Sequence, residues 1–153
     1  MSFSVFGYGS LIWKPGPVLH HSRVHDGYVT NRFRRFFQGS PDHRGTPEAP
    51  GRVVTLLPSS APQDKVWGRV YVVPQEDKDE AIAQLTTREI AGYSEEIISV
   101  TCADGVSRSA TVYSATEDNE YFLGHTASIE EIARQIHTSV GPCVCFSWLM
   151  AAS

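Results

Sequence analysis

Gly7, Tyr8, Gly9 and Ser10 follow an apolar run in the stretch SVFGYGSLIWKPG, residues 4–16. Glycines at positions 7 and 9 let the backbone take positive φ and come close to a ligand. Successive N–H groups in such a turn form a concave site for an anion. The same spacing suits a plain strand-to-turn connection with no ligand, and an isolated GxG does not separate the two. Two nucleotide-binding loops are excluded. A dinucleotide fingerprint needs a third glycine opening a helix, and a P-loop ends in Gly-Lys-Ser/Thr.

The second candidate is Glu89 in LTTREIAGYSEE, residues 85–96. It stands at the end of a predicted helix, just before Ala91-Gly92. A carboxylate there faces the negative end of the helix dipole, which raises its pKa, as burial would. A general base working near neutral pH gains from that rise. The competing reading is a solvated Glu89 paired with Arg88 or Lys78. Arginines and aromatics interleave at Arg32, Phe33, Arg34, Arg35, Phe36 and Phe37. Such a stretch suits either a nucleic-acid platform or an edge strand with alternating faces. The formal net charge of −4 favours the strand, because nucleic-acid readers carry a clear positive footprint. His20, His21, His25, His43, His125 and His137 show no metal-ligand spacing, and Cys143 and Cys145 stand too close for a zinc pair. No Gly-x-Ser-x-Gly elbow supports a serine hydrolase.

These residues need a frame. A chain of 153 residues with 41% hydrophobic and 20% charged residues fits one soluble globular domain, 1–153. No apolar run is long enough to span a bilayer, and the N-terminus lacks a basic start and an apolar stretch. Three cysteines give no disulfide framework, so a reduced, cytoplasmic setting is expected. Strands are predicted at 2–6, 24–30, 51–57, 66–73, 93–102 and 107–115. Strands 51–57 and 66–73 are expected to pair through the connection 58–65, and the last two through Asp104-Gly105, a hairpin turn signal. The second half of 31–51 reads as an irregular loop. Helices are predicted at 76–87, burying Ala81, Ile82 and Leu85, and at 128–138. The second opens with Ser128 and Glu131 as a capping box and carries an apolar stripe of Ile129, Ile132, Ala133 and Ile136. Strands and two helices in irregular order argue an α+β fold with a mixed sheet curled into a small barrel.

Taken in order, VFGYGSLIW (5–13), RRFFQGSPDHRGTPEAPGRVVTL (34–56), VWGRVY (66–71) and REIAGY (88–93) resemble the ChaC family of glutathione-specific γ-glutamylcyclotransferases. The resemblance spans roughly residues 3–142. It implies a compact α+β domain around a small mixed, barrel-like sheet. It also implies conversion of glutathione to 5-oxoproline and cysteinylglycine, with no metal and no nucleotide cofactor. The net charge and the lack of a long apolar run argue against a nucleic-acid or membrane partner, and a monomer is expected over an oligomer. Gly7, Tyr8, Gly9, Ser10, Leu11 and Ile12 match the loop that binds the γ-glutamyl group, and Glu89 matches the catalytic acid/base. Tyr113, Arg52 and Gln38 are pocket candidates by segment position alone. The sequence departs from the family where Ala91 replaces a glycine. It departs again after Gly141-Pro142, where CVCFSWLMAAS replaces the expected continuation, so residues 143–153 read as atypical or truncated. Two alternatives stay open: a cyclotransferase for other γ-glutamyl compounds, and an inactive, truncated relative acting by protein binding.

Overall fold

Strands make up the larger part of the regular structure in this chain. In the computed structural model, which describes residues 3–88 and 92–141, seven strands and three helices follow in order. They are β1 (Phe3–Gly7), α1 (Pro17–His20), β2 (Arg23–Thr30), β3 (Arg32–Ser40), β4 (Gly51–Pro58), β5 (Lys65–Val73), α2 (Lys78–Arg88), β6 (Ser94–Cys102), β7 (Ser107–Ser114) and α3 (Ile129–Thr138). Short 3-10 turns stand at Ser10–Ile12 and Gln75–Asp77. The chain divides into two compact units: Met1–Arg34 with Leu56–Ser114, and Arg35–Thr55 with Ala115–Ser153.

The first unit is a closed barrel in the order β1-β5-β2-β6-β7. β1 runs antiparallel to β5 and parallel to β7, which closes the ring through Val5 and Thr111. β6 and β7 form the hairpin that Asp104-Gly105 signals, and Gly105 takes φ of +80° at the turn. Ile98, Val100 and Cys102 of β6 and Ala110 and Val112 of β7 are buried at every second position, as a strand with one covered face requires. Gly68 in β5 has no room for a side chain. A Cβ there would meet the Gly7 carbonyl oxygen at 2.4 Å and the Phe6 ring at 2.7 Å. A second apolar cluster joins Val5, Leu11, Leu19, Tyr71, Val73, Ala81, Leu85 and Tyr113. Through it α1 and α2 cover the strands, and Ala81 and Leu85 of the predicted helical stripe are fully buried while Ile82 is only half-buried.

The expected pairing of 51–57 with 66–73 does not form. β5 has β1 along one edge and an eight-residue match with β2 along the other, from Arg23 opposite Val72 to Thr30 opposite Lys65. A strand has only two edges, so β4 pairs instead with β3 in a separate two-stranded sheet. The aromatic–basic stretch is therefore strand, and the irregular segment begins only after Ser40.

In the second unit the backbone of β3 bonds to residues 121–123. Gly39 N–H donates to Tyr121 O and Leu123 N–H to Phe37 O, both at 2.7 Å. α3 opens with both halves of the capping box. Glu131 N–H donates to Ser128 Oγ, and Ser128 N–H donates to the Glu131 carboxylate at 2.7 Å. Its apolar stripe is covered only in part: Ile132 and Ile136 are half-buried and Ile129 is 82% exposed. Polar contacts hold it instead. Arg52 Nε donates to Gln135 Oε1 at 2.6 Å, and Gln135 Nε2 donates to Pro50 O at 2.9 Å. Among the described residues no helix is long and apolar enough to cross a membrane.

Candidate active site

The glycine-flanked loop leaves the barrel at the end of β1. Tyr8 and Leu11 anchor it. Tyr8 is 6% exposed and donates its hydroxyl to Tyr113 O of β7 at 2.9 Å, while Leu11 sits in the apolar cluster under α1 and α2. Between these anchors Gly9 and Ser10 are half-buried. Gly7 is needed for the tight exit, because a Cβ on it would lie 2.7 Å from Leu11 Cβ.

Every carbonyl from Tyr8 to Ile12 accepts a hydrogen bond from the protein. Tyr8 O takes one from Arg34 Nη1 at 2.5 Å. Gly9 O takes one from Ile12 N–H at 3.0 Å, and Ser10 O takes two, from Trp13 and Lys14 N–H. Leu11 O takes one from the Tyr71 hydroxyl at 2.5 Å, and Ile12 O takes one from Arg69 Nη1 at 3.0 Å. A planar trans peptide points its N–H opposite to its C=O, so fixing the carbonyls fixes the amides. The turn Ser10–Ile12 has no side-chain cap, and Gly9 stands before it as the capping residue. A rigid turn with its carbonyls tied back can present N–H groups to an anion without reorganising.

Glu89 lies outside the described residues, as do residues 142–153. The chain leads to Glu89 directly from α2, which ends at Arg88, and is described again from Gly92, with φ of +74°. Tyr113, a pocket candidate by segment, belongs to the cluster that holds the loop and receives the Tyr8 hydroxyl on its carbonyl. Arg52 and Gln38 lie in the second unit. Arg52 is 6% exposed, and burial lowers its pKa against the opposing pull of Glu131. It donates to Gln135 and to Phe36 O and so ties β4 to β3 and α3. Gln38 is fully buried, and its Nε2 donates to Asn119 Oδ1 at 2.9 Å. Asn119 Oδ1 also accepts Tyr121 N–H at 2.8 Å, which fixes that atom as oxygen and therefore fixes the Gln38 amide. Gln38 Oε1 is left buried with no donor among the described residues. Arg34, Tyr71 and Arg69, which hold three of the loop's carbonyls, read in the sequence as members of the aromatic–basic stretch and of a strand, with nothing that assigns them to the loop. Their partners are 26, 60 and 57 residues away along the chain.

A closed five-stranded barrel with one parallel pair, covered by few helices and carrying a glycine-flanked loop at the end of its first strand, is the γ-glutamylcyclotransferase fold. A solved yeast γ-glutamyl cyclotransferase specific to glutathione superposes with a TM-score of 0.83 at 32% identity, over 93% of this chain and 80% of that one. The family model of ChaC-like proteins matches residues 3–145. The chain belongs to the ChaC-like family. It is 41% identical over 136 residues to the mouse glutathione-specific γ-glutamylcyclotransferase 1, covering 86% of this chain. It spans only 59% of that relative's length. Against the zebrafish protein of the same name it is 40% identical over 147 residues, covering 92% of this chain and 71% of the relative.

Proposed function

We propose that this chain is a γ-glutamylcyclotransferase that cleaves glutathione to 5-oxoproline and cysteinylglycine in the cytoplasm, without a cofactor. The reading is supported by about two-fifths identity to proteins named for that activity, together with a loop whose carbonyls are all tied back.

In this reading the loop Gly7, Tyr8, Gly9, Ser10, Leu11 and Ile12 holds the γ-glutamyl group, its amides receiving the α-carboxylate. The α-amine attacks the γ-carbonyl carbon. The new C–N bond closes a five-membered ring, and the old C–N bond to the cysteinyl nitrogen breaks. Nucleophile and electrophile belong to one molecule, so holding it curled supplies much of the rate, up to ~7–11 kcal/mol for well-oriented groups. The α-nitrogen goes from an ammonium to the lactam N–H and gives up two protons; the leaving nitrogen gains two and departs as an ammonium. Glu89 carries them one at a time, so no proton is created or lost overall. The charge that develops on the γ-carbonyl oxygen is matched by fixed N–H donors rather than by water.

The test is incubation of the purified chain with reduced glutathione and identification of cysteinylglycine and 5-oxoproline by mass. Glu89→Gln keeps the shape of the side chain but cannot carry a proton, and turnover should fall by about 10²–10⁴-fold. Normal turnover by that variant removes Glu89 from the reaction. A folded wild type that yields no product removes glutathione as the substrate, and a panel of other γ-glutamyl amides then decides whether any is cleaved.

A further inference from the structure

We infer that Arg34 is a positioning residue for the γ-glutamyl site, acting through the Tyr8–Gly9 peptide to aim the Gly9 N–H at the substrate's anionic group. The inference rests on the proposed substrate reading and adds a residue that the loop motif does not contain.

The five tied carbonyls are not equivalent. Arg69 holds Ile12 O, but the N–H on the other side of that peptide belongs to Trp13 and already donates to Ser10 O at 3.1 Å. Tyr71 holds Leu11 O, and the opposite N–H, of Ile12, already donates to Gly9 O at 3.0 Å. Those two contacts therefore brace the turn from within. Arg34 holds Tyr8 O at 2.5 Å, and the N–H opposite belongs to Gly9. That N–H has no acceptor among the described residues. Gly9 has φ of −132° and ψ of −128° and carries no side chain to shield its amide. Of the three side-chain contacts, Arg34 alone orients a peptide whose N–H is unspent.

Charge adds to orientation. A guanidinium bound to a carbonyl polarises the whole peptide and makes its N–H a stronger donor. Arg34 is on β3 at an exposed position, so its side chain contributes little to the core. A contact that supports the core weakly, yet fixes the first peptide of the loop, is suited to setting affinity rather than stability.

The experiment compares wild type, Arg34→Met, Arg34→Lys and Arg32→Gln by steady-state kinetics with reduced glutathione, each with its thermal midpoint. Arg34→Met removes the donor and should raise KM by about tenfold while kcat changes much less and the thermal midpoint stays put. Arg34→Lys keeps a cationic donor and should recover most of the loss. Arg32→Gln removes the same charge two residues along the strand, breaking only the exposed pair with Glu96, and should leave KM unchanged. In amide NMR spectra the Gly9 proton should shift on glutathione addition in wild type and shift less in Arg34→Met. If Arg34→Met does not fold, Arg34→Gln takes its place, since it cannot span the same distance with the same charge. An unchanged KM in a wild-type background that cleaves glutathione overturns the role of Arg34 alone. Equal KM rises in Arg34→Met and Arg32→Gln reduce it to general charge attraction and also overturn it. A wild type that neither cleaves glutathione nor shifts Gly9 overturns the substrate reading and, with it, the inference.

Discussion

Replacing Tyr71 with Phe tests whether the loop is held by its carbonyls. The hydroxyl donates to Leu11 O at 2.5 Å across 60 residues of sequence, and Tyr71 and Leu11 are 1% and 8% exposed. The ring remains in place after Tyr71→Phe, so the space left is that of one oxygen and the cavity contribution is small. What is lost is a neutral hydrogen bond, a net ~1 kcal/mol, and what is left is a buried carbonyl with no other donor among the described residues. An orphaned acceptor of that kind costs about 1–3 kcal/mol, inclusive of the bond itself. About 2 kcal/mol is therefore expected, which for a domain of this size lowers Tm by roughly 4–8 °C. Urea unfolding should show a lower midpoint with an unchanged slope, because the surface exposed on unfolding is the same. A loss below about 0.5 kcal/mol with unchanged KM for glutathione would refute the reasoning. It would mean that the Leu11 carbonyl finds water or another donor at no cost and that the turn keeps its shape without Tyr71.

Two further expectations concern stability. The Asp104 carboxylate is held down to about 2, first by the paired bonds from Arg108, at 2.7 and 2.9 Å, and then by Val106 N–H. A folded-state pKa below the unfolded value of about 3.9 gives stability that is present above pH ~4 and is lost as pH falls toward 2. The difference in urea midpoint between wild type and Asp104→Asn should be constant above pH ~5 and shrink between about 4 and 2; a flat difference throughout would refute the assignment. Gln38→Met removes a buried orphan acceptor, and Asn119 Oδ1 keeps its bond from Tyr121 N–H. The variant should lie within about 1 kcal/mol of wild type or above it, by thermal or urea unfolding, whereas a loss beyond ~2 kcal/mol would show that Gln38 Oε1 is satisfied by bound water.

What could be read from the sequence and what could not divide by distance along the chain. The hairpin of β6 and β7 was legible because its turn chemistry and its alternation are both local; Gly105 at φ of +80° is what Asp-Gly predicts. The start of α3 was legible for the same reason, since Ser128 and Glu131 satisfy one another within four residues. The pairing of β4 was not legible. Nothing within residues 51–73 says that β1 and β2 will take both edges of β5, and that competition is decided only when the barrel closes. How far the α3 stripe is covered was not legible, because helical periodicity reports which face is apolar and not how much surface arrives to cover it.

The loop shows the same division inside one site. Glycines at 7 and 9 permit positive φ and a close approach to a ligand; neither takes positive φ, and the close approach seen at Gly7 is to Leu11 of the same loop. They do not announce what turns the carbonyls away. That work falls to Arg34, Arg69 and Tyr71, which in sequence read as members of a basic stretch and of a β-branched strand. A phenol in a strand reads as core, and Tyr71 is core; only its hydroxyl makes it part of the loop. The two glycines supply permission for the turn, and residues from two distant strands supply its direction. A short Gly-x-Gly motif is therefore a weak signal alone, because half of what fixes this loop's backbone lies where no local pattern can report it.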